Sequence, residues 1–337
     1  MNSAEDGLKR DIVVIGGSSG ALNVLAFLRH LPSNFPAAIF LVLHTAPGGP
    51  GLLPDILRRY SKLPVDHARD GEAIAAGRIY VAPPDYHLSV VEGSMQVARG
   101  PKENRHRPSI DVLFRSAANS YGPRVVGMVL SGMLDDGSAG LIEIRTRQGL
   151  AVVQDPEDAV FQDMPRNALA HAGADYTVPQ SQLAALLTRI VKETGDQDWF
   201  EPPQKLSREG EASEISTNGN QDDEKPGTPS NFSCPDCGGV LQQIEDDKAL
   251  RFRCRVGHAL SATTLLTAQS DNVEQALWSA LRALEEKAEM ARKLKDYSLS
   301  RNFKSVPLKF EEEAKQLEAD ADIIRKMLGN TAGSEAR

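Results

Sequence analysis

Asp11-Ile-Val-Val-Ile-Gly-Gly-Ser-Ser-Gly-Ala-Leu22 decides the fold. An apolar, β-branched run breaks into glycine, and an amphipathic stretch follows from Ala21 to Leu31. Gly16–Gly20 fits the G-x-S-x-G pattern, in which a tight strand-to-helix turn lifts a serine clear of the sheet. That serine sits beside a helix N-terminus, whose free N–H groups and dipole suit an oxyanion. The same glycine content suits a phosphate-binding loop, so the stretch alone admits both readings. Outward from it, short apolar runs recur at Ala38–Leu43, Arg78–Val81, Val125–Leu130 and Ala151–Gln154. Amphipathic stretches separate them at Leu52–Tyr60, Ile110–Tyr121 and Gly137–Gln148, and Gln182–Glu193 reads as a closing helix. Strands alternating with helices predict βαβ units over residues 8–195: a doubly wound, mostly parallel α/β sheet with helices on both faces.

The second strand separates the two readings of the glycine turn. A dinucleotide fold wants a carboxylate there for the ribose hydroxyls; Ile39–Leu43 ends instead in His44. A histidine at the carboxyl edge of the next strand is placed to act as general base for a serine. A third strand runs into Ser131-Gly-Met-Leu-Asp-Asp-Gly137. Either Asp135 or Asp136 can orient an imidazole, and the other can cap the following helix. Three strand ends thus supply serine, histidine and acid, in a chain order unlike the serine–acid–histidine of common α/β hydrolases. No tyrosine is followed four positions later by lysine, so the short-chain dehydrogenase pair is absent.

These motifs resemble the catalytic domain of the chemotaxis protein-glutamate methylesterases (CheB-type). The family's Gly-Ala-Ser-Thr-Gly-Gly, Gln-His and Thr-Gly-Met-Gly-Asn-Asp-Gly segments correspond to Gly16–Ala21, Leu43-His44 and Ser131–Gly137. Arg107-Pro-Ser-Ile-Asp111 and Ile79–His87 also match in kind. The resemblance covers about 185 residues in one order of motifs. It implies Ser18 as nucleophile, His44 as base and Asp136 as the orienting acid. Oxyanion and substrate contacts would fall to Ser19, Met133 and Arg107. His87, His106 and Arg105 either line a substrate groove or belong to a solvated basic loop, and His30, His67 and His171 read as structural. The reaction implied is hydrolysis of glutamate γ-methyl esters on a chemoreceptor, with glutamine deamidation as the same acyl chemistry; a signalling scaffold that kept the fold is the alternative. No cofactor is needed for that catalysis. Departures from the family include Ser19 for threonine, Ala21 for glycine, Leu134 for glycine, and Thr45-Ala-Pro after the histidine. The first strand begins near residue 11, so no receiver domain is expected upstream, nor control through phosphorylation of one.

Beyond the α/β region, residues 201–230 are rich in Pro, Gly, Ser, Asn and acid and read as a flexible linker. Residues 231–265 hold all three cysteines. Cys234-x2-Cys237 and Cys254-x3-His258 supply a Cys3His set, the number and type of ligands for a closed structural zinc site. Val240–Ile244 and Leu250–Arg253 read as a hairpin between them, giving a small zinc ribbon. From 270 to 330 the apolar spacing is helical, in steps of four and three, which predicts a helical hairpin or coiled coil and a route to homodimers.

The net charge of −8 disfavours general nucleic-acid binding. No apolar run approaches the ~20 residues that span a bilayer, and the N-terminus has no secretory pattern. A cytoplasmic protein without membrane insertion is expected.

Overall fold

The computed structural model describes residues 8–195, 227–244, 250–301, 303 and 305–331. Up to Leu265 they form one compact unit, and from Leu266 onward a second. Most of the linker expected at 201–230 lies outside the described residues.

In chain order the first unit holds β1 (Leu8–Lys9), β2 (Ile12–Gly17), α1 (Ala21–Val24), β3 (Ala38–Leu43) and α2 (Leu53–Arg58). Next come β4 (Val65–His67), β5 (Ile79–Val81), β6 (His87–Val91), β7 (Ser94–Ala98) and α3 (Ile110–Tyr121). They are followed by β8 (Val125–Val129), α4 (Ser138–Thr146), β9 (Leu150–Gln154), α5 (Asp163–His171), β10 (Tyr176–Val178), α6 (Gln180–Ile190) and β11 (Thr194–Gly195). Seven strands make a parallel sheet in the order β10-β9-β8-β2-β3-β5-β4. Every residue of β2, β3 and β8 is buried, as expected for parallel strands covered on both faces. Alternation sends Val13, Ile15, Ile39 and Leu41 to the face packed by the 310 turn after α1 and by α6. Val14, Phe40, Val42 and Val129 face α3, α4 and α5.

Central β2 has β3 on one side and β8 on the other. The chain goes outward first through β3 and returns to the opposite side with β8. The crevice at the carboxyl ends of these three strands is therefore the topological switch point, where open α/β sheets bind ligands.

The apolar spacing predicts a first helix from Ala21 to Leu31; its α-helical part is one turn, and Leu25–His30 continues as 310 helix. Strands β4 and β10, the hairpin β6–β7 and helix α5 have no counterpart in the sequence pattern. Each strand is short or at a sheet edge, and α5 opens on Asp163-Met-Pro, a breaker in a pattern read without context.

After the undescribed segment come β12 (Thr228–Ser233), β13 (Val240–Ile244), β14 (Arg251–Cys254) and β15 (Ala259–Ser261), a four-stranded antiparallel sheet. Strand β12 overlaps the end of the expected linker; its polar Thr-Pro-Ser-Asn composition conceals an exposed edge strand. A small core of Leu241, Phe252, Leu260 and Leu265 lies inside this sheet. Two long helices follow, Ala262–Ser300 and Val306–Thr331. In the second unit Leu281 packs with Ala321 and Leu328, flanked by Leu277, Leu284 and Ile324. Ion pairs Lys287–Glu313 and Lys295–Glu311 span the two helices at 3.0 and 2.6 Å, exposed contacts of small energetic value. Among the described residues, no helix is long and apolar enough to cross a membrane.

Candidate active site

Parallel pairing of β2 with β3 ends at Gly17 opposite Leu43, so Ser18 and His44 are the next residues off neighbouring strands. The backbone is tied there: His44 N–H donates to Gly17 O at 3.1 Å, and Ser18 N–H donates to Ser131 O at 3.0 Å. The turn that carries Ser18 needs glycine at Gly20, whose φ is +78°. Gly132, from the β8 loop, passes so close that a Cβ there would stand 2.9 Å from the Ser18 Cβ. Ser131 braces the same turn. Its hydroxyl donates to Ser19 O at 2.8 Å and accepts from Phe161 N–H at 3.0 Å.

His44 Nε2 donates to Asp136 Oδ2 at 2.8 Å, and both side chains are almost fully buried. His44 Nδ1 is also buried and has no hydrogen-bond partner, so the Ser18 hydroxyl is not bonded to it in this structure. The second acid, Asp135, points elsewhere, and its Oδ1 accepts the hydroxyls of Ser261 and Thr264.

Asp136 is held by more than its histidine. Oδ2 also accepts Ile110 N–H at 2.7 Å, while Oδ1 accepts the Ser109 hydroxyl at 2.8 Å, Asn104 Nδ2 at 3.0 Å and Asp111 N–H at 3.3 Å. The carboxylate thus sits on the N-terminus of α3, where amides and dipole favour an anion. The arrangement is reciprocal. Asp111, in the first turn of α3, accepts Gly137 N–H and Gly140 N–H at 3.0 and 2.6 Å from the start of α4. Burial works to raise the Asp136 pKa, but the hydrogen bond and charge of His44, with the Ile110 N–H, hold it well below the usual carboxylate range. Asp111 goes the other way: burial and the neighbouring Asp136 charge push it up to about 8.

A second imidazole covers the first. His106 stacks on His44 with ring centroids 3.6 Å apart and planes inclined by 12°. Burial, then the His44 charge, pushes the His106 pKa down to about 4, so this ring is neutral near pH 7.

The remaining expected residues fall as follows. Met133 is half exposed at the mouth, and neither its backbone N–H nor that of Ser19 donates to any described group. The Arg107 guanidinium is already engaged: it donates to Asp85 at 2.9 and 2.6 Å and to Gly100 O at 2.6 Å. These bonds tie the 100–107 loop to Asp85. His87 is buried, bonded to Pro101 O and to Ser109 N–H. His67 bridges Gly51 O and Val81 O. Sequence reasoning gave no role to Ser109, Asp111 and Ser131, although all three lie in the family-like segments, and passed over Asn104. For Asn104 the signal was the residue type itself, since asparagine tolerates the left-handed backbone (φ 50°) it adopts.

The Cys3His residues also converge. The ligand atoms of Cys234, Cys237, Cys254 and His258 all lie within 4.8 Å of one another. Three separations are 3.7 Å (Cys237–Cys254), 3.7 Å (Cys234–His258) and 3.5 Å (Cys254–His258). A tetrahedron with Zn–S and Zn–N bonds of ~2.0–2.3 Å has edges of about 3.3–3.8 Å, so the donor set fits such an ion.

Fold and site together define a parallel α/β domain with a buried histidine–carboxylate pair beside a strand-end serine at the switch point. The chain belongs to the CheB methylesterase family, whose profile matches residues 13–187. A Methanosarcina mazei protein-glutamate methylesterase/protein-glutamine glutaminase is 35% identical over 192 residues, which cover 54% of this chain and 52% of that relative. A putative enzyme of the same name from Leptospira interrogans is 36% identical over 182 residues, 53% of this chain and 94% of that one. The crystal structure of the Thermotoga maritima CheB methylesterase catalytic domain is similar with a TM-score of 0.51 and 33% identity, covering 53% of this chain and 97% of that one. The match thus spans about half of the Methanosarcina relative and nearly all of the catalytic-domain structure.

Proposed function

We propose that the protein hydrolyses glutamate γ-methyl esters on a methyl-accepting chemoreceptor or related signalling protein, and deamidates glutamines by the same acyl chemistry. The observation that carries this is the buried His44–Asp136 hydrogen bond, with the second imidazole nitrogen unpartnered beside the strand end that bears Ser18. Ser18 Oγ attacks the ester carbonyl while His44 Nδ1 takes its proton. Asp136 fixes the tautomer with hydrogen on Nε2 and stabilises the imidazolium that forms. The unengaged N–H groups of Ser19 and Met133 suit the developing oxyanion; one such donor is typically worth ~10²–10³ in rate. The imidazolium returns its proton to the departing methoxide, and methanol leaves. Water, deprotonated by the same nitrogen, then cleaves the acyl-enzyme to glutamate. His106 shields the pair from solvent without adding a charge.

The Cys3His set is a structural zinc site in this reading, with no part in the acyl chemistry: four protein ligands leave no open position. Exposed Val273, Trp278, Met290 and Tyr297 on the long helix suit a homodimer contact, to be checked by light scattering. Methanol release from methylated receptor fragments tests the main reading. Wild-type protein is expected to release it, and Ser18→Ala and His44→Ala are not; release by either variant at the wild-type rate refutes the assignment.

A further inference from the structure

We propose that the β12–β15 sheet, with the first turn of the helix behind it, is a positioning element of the active site: it holds in place the acid that orients His44. This rests on the methylesterase reading given above.

The link is a tight hairpin turn. Glu103 and His106 exchange backbone hydrogen bonds at 3.1 and 2.9 Å, and the two residues between them, Asn104 and Arg105, have φ of 50° and 67°. Two consecutive left-handed residues make a type I′ turn, costly for side chains other than glycine unless the surroundings enforce it. One end of this turn presents His106 to His44. The other contacts come from the small sheet. Asn104 N–H donates to Ala259 O at 2.8 Å, and Ala259 N–H donates to Lys102 O at 3.3 Å, so the turn extends the edge of β15.

Three side-chain contacts carry the coupling. Asn104 Oδ1 accepts Ser261 N–H at 2.9 Å, while its Nδ2 donates to Asp111 and to Asp136 at 2.9 and 3.0 Å. The amide orientation is fixed by chemistry, since the Asp136 carboxylate needs a donor and the Ser261 N–H needs an acceptor. One side chain therefore joins a backbone amide of the small sheet to the orienting acid. Secondly, Arg251 of β14 donates to buried Glu103 at 2.7 Å, and Arg115 of α3 meets the same carboxylate at 3.0 and 2.8 Å. Burial works to raise the Glu103 pKa, but the two arginines hold it below the usual range, so the bridge is ionic. Thirdly, the hydroxyls of Ser261 and Thr264 donate to Asp135 at 2.8 and 3.0 Å, next to Asp136 in the chain. The α/β motifs contain the reacting groups, yet the acid's surroundings are completed from Arg251, Ser261 and Thr264, which lie far downstream in the chain.

The experiment uses the full chain with Arg251→Met and, separately, Ser261→Ala/Thr264→Val. Hydrogen exchange is followed over residues 103–111, and methanol release is measured in parallel. Both variants are expected to lose protection at 103–111 by about 10-fold, as a locally opened segment does. The expected fall in kcat is about 10²-fold, the cost of an ångström misplacement, with KM unchanged. Arg251→Lys and Thr264→Ser, which keep the charge and the hydroxyl, are expected to restore most of both, and Arg325→Ala on the second long helix to change neither. Unchanged exchange at 103–111 in the folded variants overturns the proposal, whether or not the wild type proves to be a methylesterase. Unchanged kcat in an active enzyme overturns it equally. A wild type that releases no methanol overturns the methylesterase reading alone, because the exchange measurement still decides the coupling.

Discussion

Asp136→Asn isolates the electrostatic part of the site, since the new side chain has the same shape. In the wild type both carboxylate oxygens only accept, from His44 and Ile110 on one side and from Asn104, Ser109 and Asp111 on the other. An asparagine turned with its oxygen toward His44 aims its NH2 at three donors. Turned the other way, its NH2 confronts Ile110 N–H and obliges His44 Nε2 to become an acceptor. The proton then moves to Nδ1, the nitrogen needed to take the serine proton. A wrong tautomer in an otherwise intact triad costs on the order of 10⁴ in kcat, or about 5.5 kcal/mol of barrier. Buried donors left unpaired cost ~1–3 kcal/mol each in stability. Activity is therefore read well below the melting temperature of the variant, by initial rates of methanol release, with folding checked by circular dichroism. A rate within about 10-fold of wild type (~1.4 kcal/mol) in a folded Asp136→Asn protein would refute the assigned role.

Four further outcomes are expected. With its pKa pushed down to about 4, His106 is neutral in the folded protein and protonated in the unfolded chain between pH 6.5 and about 4. Its contribution to stability is then full above 6.5 and is lost as the pH drops through that window, by about 3 kcal/mol in all; in urea titrations the wild type is expected to lose about this much more than His106→Phe between pH 6.5 and 4, and an equal loss in both would refute it. Leu134 sits at φ 61°, where a Cβ is strained, so Leu134→Gly should stabilise by up to ~1 kcal/mol, read from the denaturation midpoint. Gly132→Ala places a Cβ 2.7 Å from Met164 and 2.9 Å from Ser18 Cβ, and its kcat should fall by roughly 10²-fold through displacement of the nucleophile. Zinc should be found at one ion per chain by elemental analysis, and chelation should lower the melting temperature, because a small metal site supplies folding energy on the order of 10 kcal/mol.

The central strands were legible because full burial on both faces demands continuous β-branched and apolar runs, as in Ile12–Ile15 and Ala38–Leu43. Ser18, His44 and Asp136 could be named as candidates because each stands at or shortly beyond the carboxyl end of such a run, the serine and the acid in glycine-rich turns. Short edge strands leave no such mark: Val65–His67 has one apolar residue in three. The acid's other partners were invisible for a different reason. Ser109 and Asn104 meet Asp136 across 27 and 32 residues of chain, and only the packing of α3 against α4 brings them together. The pairing of Arg107 with Asp85, on a left-handed turn 22 residues earlier, was not legible either. The docking of β14 and β15 on the 103–106 turn depends on polar residues of ordinary surface composition, which no periodicity could single out.

In the proposed mechanism one serine hydroxyl is made nucleophilic by the neighbouring imidazole. Intact-mass and peptide-mapping spectrometry after treatment with a fluorophosphonate probes this directly. A single adduct is expected on Ser18 of the wild type, with labelling abolished in Ser18→Ala and slowed by orders of magnitude in His44→Ala. An adduct on another residue, or equally fast labelling of Ser18 without the imidazole, would contradict the account.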